Sequence, residues 1–285
     1  LIDPDDSLHL SNGGLFDVNA VGTLLRHCPN LTTLDAINYS IEVDYLLAEP
    51  WVCRGLQTFR CLIIGMNRLT VEEEDIYITW ATRASLRDKG EKEKEEEEEK
   101  EDGEEDVDSN NKDEAQDVAK VKEIVEQRYR CYALHERVYS RLAEMAQLRV
   151  LDLGYKFCPK RILNDNIQET MLRGRLYSEL TPPIVNTLEL TLDSGLAQLS
   201  SLKSLEIFGF EGVDHGIGTK ELAWMAESWP RLRIMRGLHD PPSSAVVTSD
   251  PKTRMLRKCM EELRPFVKHE ACGTEHIFHL GRTFE

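Results

Sequence analysis

Six times along the chain a leucine or valine is followed by two variable residues, an apolar residue, one more variable residue and then an apolar or small one. The matches are Leu31-Thr-Thr-Leu34-Asp-Ala36, Leu56-Gln-Thr-Phe59-Arg-Cys61, Leu148-Arg-Val-Leu151-Asp-Leu153, Val185-Asn-Thr-Leu188-Glu-Leu190, Leu202-Lys-Ser-Leu205-Glu-Ile207 and Leu232-Arg-Ile-Met235-Arg-Gly237. Alternate residues of a strand face opposite sides, so the second and third apolar positions point together into a core. The first leads the chain into the strand from beneath. Parallel strands need a crossover, which usually takes a helix. Helical candidates stand at Val18 to His27, just before Pro29, at Arg141 to Ala146, and at Glu221 to Ser228, just before Pro230. The central residues lie 25, 92, 37, 17 and 30 positions apart, so the phrase recurs without a fixed period.

Charge is distributed as unevenly as the phrases. The 285 residues carry a formal −16, of which the stretch 88–117, with 17 Asp and Glu against 5 Lys and Arg, accounts for −12. Apolar residues are nearly missing from that stretch, so it cannot offset the entropy of ordering, and it reads as a disordered acidic loop. The near-neutral remainder excludes a basic nucleic-acid binder. The longest apolar run, Cys61 to Met66, falls far short of the roughly 18 residues that cross a bilayer. One domain interrupted by the loop follows: repeats over 1–87, the loop over 88–117, and a long helix with further repeats over 118–285. The basic stretch from Lys252 to His269 offers the acidic loop an intramolecular partner. After the loop, Val118, Val121, Val125, Tyr129, Tyr132, Tyr139 and Leu142 recur at helical spacing, broken by Arg128 and His135. That pattern predicts a helix packed on the outside of the repeats.

The phrase has the spacing of the leucine-rich repeat. Cys28-Pro-Asn-Leu-Thr-Thr-Leu34 and Trp229-Pro-Arg-Leu-Arg233 resemble the Cys-Pro-x-Leu-x-x-Leu repeats of F-box-associated, ribonuclease-inhibitor-like leucine-rich-repeat proteins. The blocks Leu142 to Gly154 and Leu188 to Trp229 are similar to a set of fungal F-box-like repeat proteins. The resemblance implies an α/β leucine-rich-repeat solenoid, a curved parallel sheet with outer helices. It also implies substrate recognition within a cullin-type ubiquitin ligase, where an N-terminal F-box docks the adaptor and the repeats hold the target protein. No F-box helices are visible, and the opening Leu1-Ile2-Asp3-Pro4 reads as the start of a fragment, so an F-box upstream would favour the ligase reading and its absence the alternative. A repeat scaffold or GTPase-activating regulator of the same architecture is the alternative.

On such a sheet the residues flanking each central apolar position face a partner on the concave side. The position after it reads Asp35, Arg60, Asp152, Glu189, Glu206 and Arg236; the position before reads Thr33, Thr58, Val150, Thr187, Ser204 and Ile234. The first column predicts a mixed-charge groove in which charges set register more than affinity. As solvated side chains, Asp152 and Glu189 are then expected to be reversible without loss of stability.

The chemistry of catalysis finds little purchase, and no cofactor or enzymatic activity is expected. His269, Cys272, His276 and His279 supply sulfur and imidazole within eleven residues, the ligand types of zinc. His276 and His279 would face opposite sides of a strand, so incidental histidines are the preferred reading. Gly212-Val-Asp-His-Gly216-Ile-Gly218-Thr-Lys220 lacks the Gly-Lys-Ser/Thr of a phosphate loop and reads as a glycine-rich turn. Seven scattered cysteines without a Cys-x-x-Cys pair suit reduced, buried thiols of an intracellular protein, cytoplasmic or nuclear.

Overall fold

The computed structural model describes residues 7–9, 20–95, 111–154, 186–238 and 251–270. In chain order these form β1 (Ser7–His9), α1 (Ala20–His27), β2 (Thr33–Glu42), α2 (Val43–Leu47), β3 (Thr58–Ile64), α3 (Val71–Glu95), α4 (Asn111–Ala143) and β4 (Val150–Asp152). A 3-10 turn (Leu196–Ser201), β5 (Ile207–Gly209), α5 (Thr219–Ser228), β6 (Ile234–Arg236), α6 (Pro251–Leu263) and β7 (Lys268–Glu270) follow. The fold is α/β. All seven strands make one sheet in the order of the chain, each parallel to its neighbours. The chain divides into two compact units, one of Leu1–Met66 with Leu134–Glu285 and one of Asn67–Ala133.

The first unit repeats one local device. Leu31, Leu56, Leu148, Leu205 and Leu232 donate their backbone N–H to the carbonyls of Cys28, Cys53, Met145, Leu202 and Trp229 at 2.9–3.2 Å, a tight turn three residues long. One residue further on, the carbonyls of Thr32, Gln57, Arg149 and Glu206 each accept two N–H groups from the start of the next strand. Each strand from β3 to β6 is thus laid on its predecessor by the same pair of bonds, and register is inherited from turn to turn. Leu8, Leu34, Phe59, Leu151, Phe208, Met235 and His269 are consequently aligned across the sheet. From Leu34 to Met235 these side chains are fully buried, as are the lead-in residues Leu56, Leu148 and Leu205. The crossovers pack onto the same core through Leu25, Leu46, Val138, Tyr139, Leu142, Leu199, Leu222, Met225, Leu256 and Met260.

Four phrases fall where the spacing predicts. Leu34, Phe59 and Leu151 take the aligned core position of β2, β3 and β4, and Met235 takes it in β6. The fifth phrase is out of phase by three residues. Leu205 is the lead-in and Phe208 the central residue, so the operative match is Leu205-Glu-Ile-Phe208-Gly-Phe210. The two matches overlap in the sequence, and the choice is made by the turn closed from Leu205 back to Leu202. The fourth phrase enters no strand of the sheet, because β4 pairs directly with β5. Its backbone is engaged by α4 instead: Glu189 N–H donates to Nε2 of His135 at 2.8 Å, and the Tyr139 hydroxyl donates to the Glu189 carbonyl at 2.7 Å. His135, read as a break in the apolar stripe, is fully buried for that reason. β1 and β7 were not marked by any phrase.

The helices α1 and α5 match their predicted spans within two residues, whereas α4 stops at Ala143, short of the expected Arg141 to Ala146 segment. The acidic stretch differs from a loop at both ends: α3 continues to Glu95 and α4 begins at Asn111, while 96–110 lie outside the described residues. Helix-favouring Glu and Lys, with no proline, allow this in spite of the missing apolar face. In the second unit α3 opens on a capping box, with Thr70 N–H bonded to Glu73 at 2.8 Å and Glu73 N–H to the Thr70 hydroxyl at 3.3 Å. Within it, Arg128 bonds Glu74 at 2.9 Å and lies over the rings of Tyr77 and Tyr132 at 4.4 and 5.2 Å. The buried positions of α4 there are Ile124 and Cys131, whereas Val118 and Tyr129 of the expected stripe are exposed. No described helix is long and apolar enough to cross a membrane.

Candidate functional site

On the strands, one position past the core column, stand Asp35 (β2), Arg60 (β3), Asp152 (β4), Gly209 (β5), Arg236 (β6) and Glu270 (β7). Alternating sign across adjacent strands lets these side chains pair along the sheet. Arg60 Nη1 donates to Asp35 at 2.7 Å and its Nε lies 3.7 Å from Asp152. Arg236 Nη1 donates to the same Asp152 oxygen at 2.9 Å. Asp152 and Arg236 are two strands apart, about 9.5 Å of backbone separation, and the contact exists because Gly209 lies between them. A Cβ there would stand 2.2 Å from Asp152 Oδ1 and 2.4 Å from its Cγ. Gly154 adds to the enclosure, since a Cβ on it would meet the Glu211 backbone at 2.6 Å. Asp152 is therefore completely buried and Arg236 nearly so.

Of the six residues predicted for a charged column, the structure brings together Asp35, Arg60, Asp152 and Arg236 and separates the other two. Glu189 is off the sheet with the fourth phrase. Glu206, through the phase error, belongs two positions before the core column, where it joins a second ladder. There Glu206 bridges Arg149 of the preceding strand start, at 2.7 Å, and Arg233 of the following one. The expectation that Asp152 is a solvated side chain is corrected: it is the buried anion to which two arginines turn. Among the residues before the core column, Thr58, Ile207 and Ile234 are buried as well, with Ile207 in the place assigned to Ser204. The signal that locates the ladder was present as Phe208-Gly-Phe210, where the glycine marks a strand position crossed by a neighbour's side chain.

Of the sulfur and imidazole set, only His269 is described. It occupies the core column on β7, both ring nitrogens are buried without a hydrogen-bond partner, and burial, with Arg257 adding to it against Glu261, holds its pKa below the usual imidazole value. Cys272, His276 and His279 lie outside the described residues. Among the described residues no three His, Cys, Asp or Glu groups converge as a metal site. Cys53 and Cys61 are buried, and burial pushes their thiols up to about 11 and about 12, which keeps them protonated and unreactive. The glycine-rich stretch is a turn in which Gly212 and Gly216 hold left-handed backbone. Compared with protein-family models, curated proteins and solved structures, the chain matches none.

Proposed function

We propose that the first unit is a leucine-rich-repeat solenoid that recognises a protein partner, as the substrate-binding repeats of an F-box-type subunit of a cullin ubiquitin ligase. The observation that supports the repeat reading is the recurrence, at five successive strand starts, of one buried lead-in leucine closing the same three-residue turn. Stacked units of this kind give a broad surface to which each strand adds a few side chains, suited to a polypeptide more than to a small molecule. The ligase setting is supported by the Cys28-Pro-Asn-Leu and Trp229-Pro-Arg-Leu lead-ins, both of which end a helix and enter a strand. The partner surface is carried by side chains outside the Asp152–Arg236 pair, because both members of that ion pair are closed off from solvent.

Affinity capture of the tagged protein from its own cells, followed by mass spectrometry, tests the setting. Recovery of a ligase adaptor and a cullin is the expected result. A reproducible set of partners without either would reject the ligase role and leave a repeat scaffold.

A further inference from the structure

At the strand-start side of β4, β5 and β6 the second ladder borders a shallow open groove of about 450 Å³. Its lining holds Arg149, Arg231, Arg233 and Arg264 against the single carboxylate of Glu206, with Phe266 at the margin. Four guanidinium groups beside one acid are unusual on a chain of net charge −16. Three of the four are oriented by the fold. Glu206 holds Arg149 and Arg233 from either side, and Arg264 donates to the carbonyls of Ala226 and Pro230 at 2.9 and 2.8 Å. Arg231 is exposed, and so is most of Arg233. Phe266 is 90% exposed, the most accessible large apolar side chain among the described residues.

We infer that this groove is the docking site for an acidic peptide segment of a partner protein, with an aromatic or aliphatic residue of that segment seated on Phe266. The inference rests on the recognition reading of the first unit and is independent of the ligase setting. Guanidinium forks match carboxylates bidentately, and donors already held in place lose little freedom on binding. The surplus of positive charge over Glu206 supplies the attraction, and the exposed ring supplies an apolar anchor that fixes where along an acidic segment binding occurs. A basic or neutral segment meets the same arginines as repulsion or as unpaired donors.

Fluorescence anisotropy on the full chain tests this with a labelled peptide of glutamates carrying one central phenylalanine. Peptides with lysine for glutamate, or alanine for the phenylalanine, and free inorganic phosphate as competitor are the controls. The expected result is saturable binding that weakens with salt, is lost with the lysine peptide and falls about tenfold in R231E/R233E. Phe266→Ala should weaken the parent peptide several-fold and leave the alanine peptide unchanged. Lys252→Glu, on α6 and outside the groove, should bind like the parent. Two results would overturn the inference: binding indifferent to R231E/R233E while Lys252→Glu reduces it, which means a diffuse charge effect, or competition by phosphate with no preference for the phenylalanine, which means an anion site only. Absence of any binding by a chain whose unfolding transition is intact would overturn it too. Because purified chain is used, none of these outcomes depends on whether an adaptor and cullin are recovered from cells.

Discussion

At Gly209 a single methyl group would collide with the carboxylate of Asp152, and that carboxylate has no room to retreat because Arg60 and Arg236 hold it. Gly209→Ala should therefore destabilise the chain by about 1–3 kcal/mol, the usual cost of forcing extra volume into a packed site. Gly55→Ala, where an added Cβ would meet nothing within 4 Å, should change stability by less than about 1 kcal/mol. Urea unfolding of the two variants gives the comparison, and equal effects would contradict the packing account. Removing Asp152 alone, as Asp152→Ala, strands a buried guanidinium and should cost about 3–5 kcal/mol. Replacing both ends, as Asp152→Leu with Arg236→Met, should recover most of that loss, since a buried ion pair repays its desolvation poorly. If the double variant is no better than the single, Arg236 is not the partner that matters. These residue-level contacts were half legible. The alternating charges Asp35, Arg60, Asp152 and Arg236 could be read at one strand position, but their burial could not, because burial depends on Gly209 and Glu211 lying across them.

Among the elements, β7 ends the described sheet and places His269 where the other strands have Leu34, Phe59, Leu151, Phe208 and Met235. Its pKa is depressed in the folded chain, so the folded state favours the neutral ring, and unfolding takes up a proton at acidic pH. Stability should be full above the ordinary imidazole pKa of about 6.5 and decline as pH falls below it toward the folded value. His269→Leu should abolish that decline and match the apolar column; chemical unfolding of both forms at neutral and mildly acidic pH decides it. In the second unit the helices α3 and α4 share Arg128, and Arg128→Ala should loosen them by about 1 kcal/mol through loss of the ring contacts and the bond to Glu74. Faster amide exchange in α3, with β3 unaffected, is the expected reading. β7 escaped the sequence pattern because its central residue is a histidine, and β1 because Asp5 stands where the phrase puts its lead-in leucine. α3 reaches into the acidic stretch because its helix relies on Glu and Lys propensity and a Thr70–Glu73 cap, signals weaker than a missing apolar face.

For the whole molecule, a sheet whose strands pair only with their sequence neighbours should be stabilised locally, each strand depending on the two beside it. Hydrogen exchange should then be slowest in β3, β4 and β5 and fastest in β1 and β7, which have one neighbour each among the described strands. Uniform protection across the seven strands would indicate a single cooperative block. What the residues determined unaided is the α/β class, the parallel sheet and four of its core positions, since a leucine phrase of strand period needs no distant information to declare which side is buried. What tertiary structure alone decided is which of two overlapping phrases enters the sheet, where Glu189 and Glu206 go, and which charges are sealed from water. Those depend on a turn closed between Leu202 and Leu205, on His135 and Tyr139 capturing a backbone 54 and 50 residues away, and on the space left by one glycine. Long-range contacts of this kind have no period to be read.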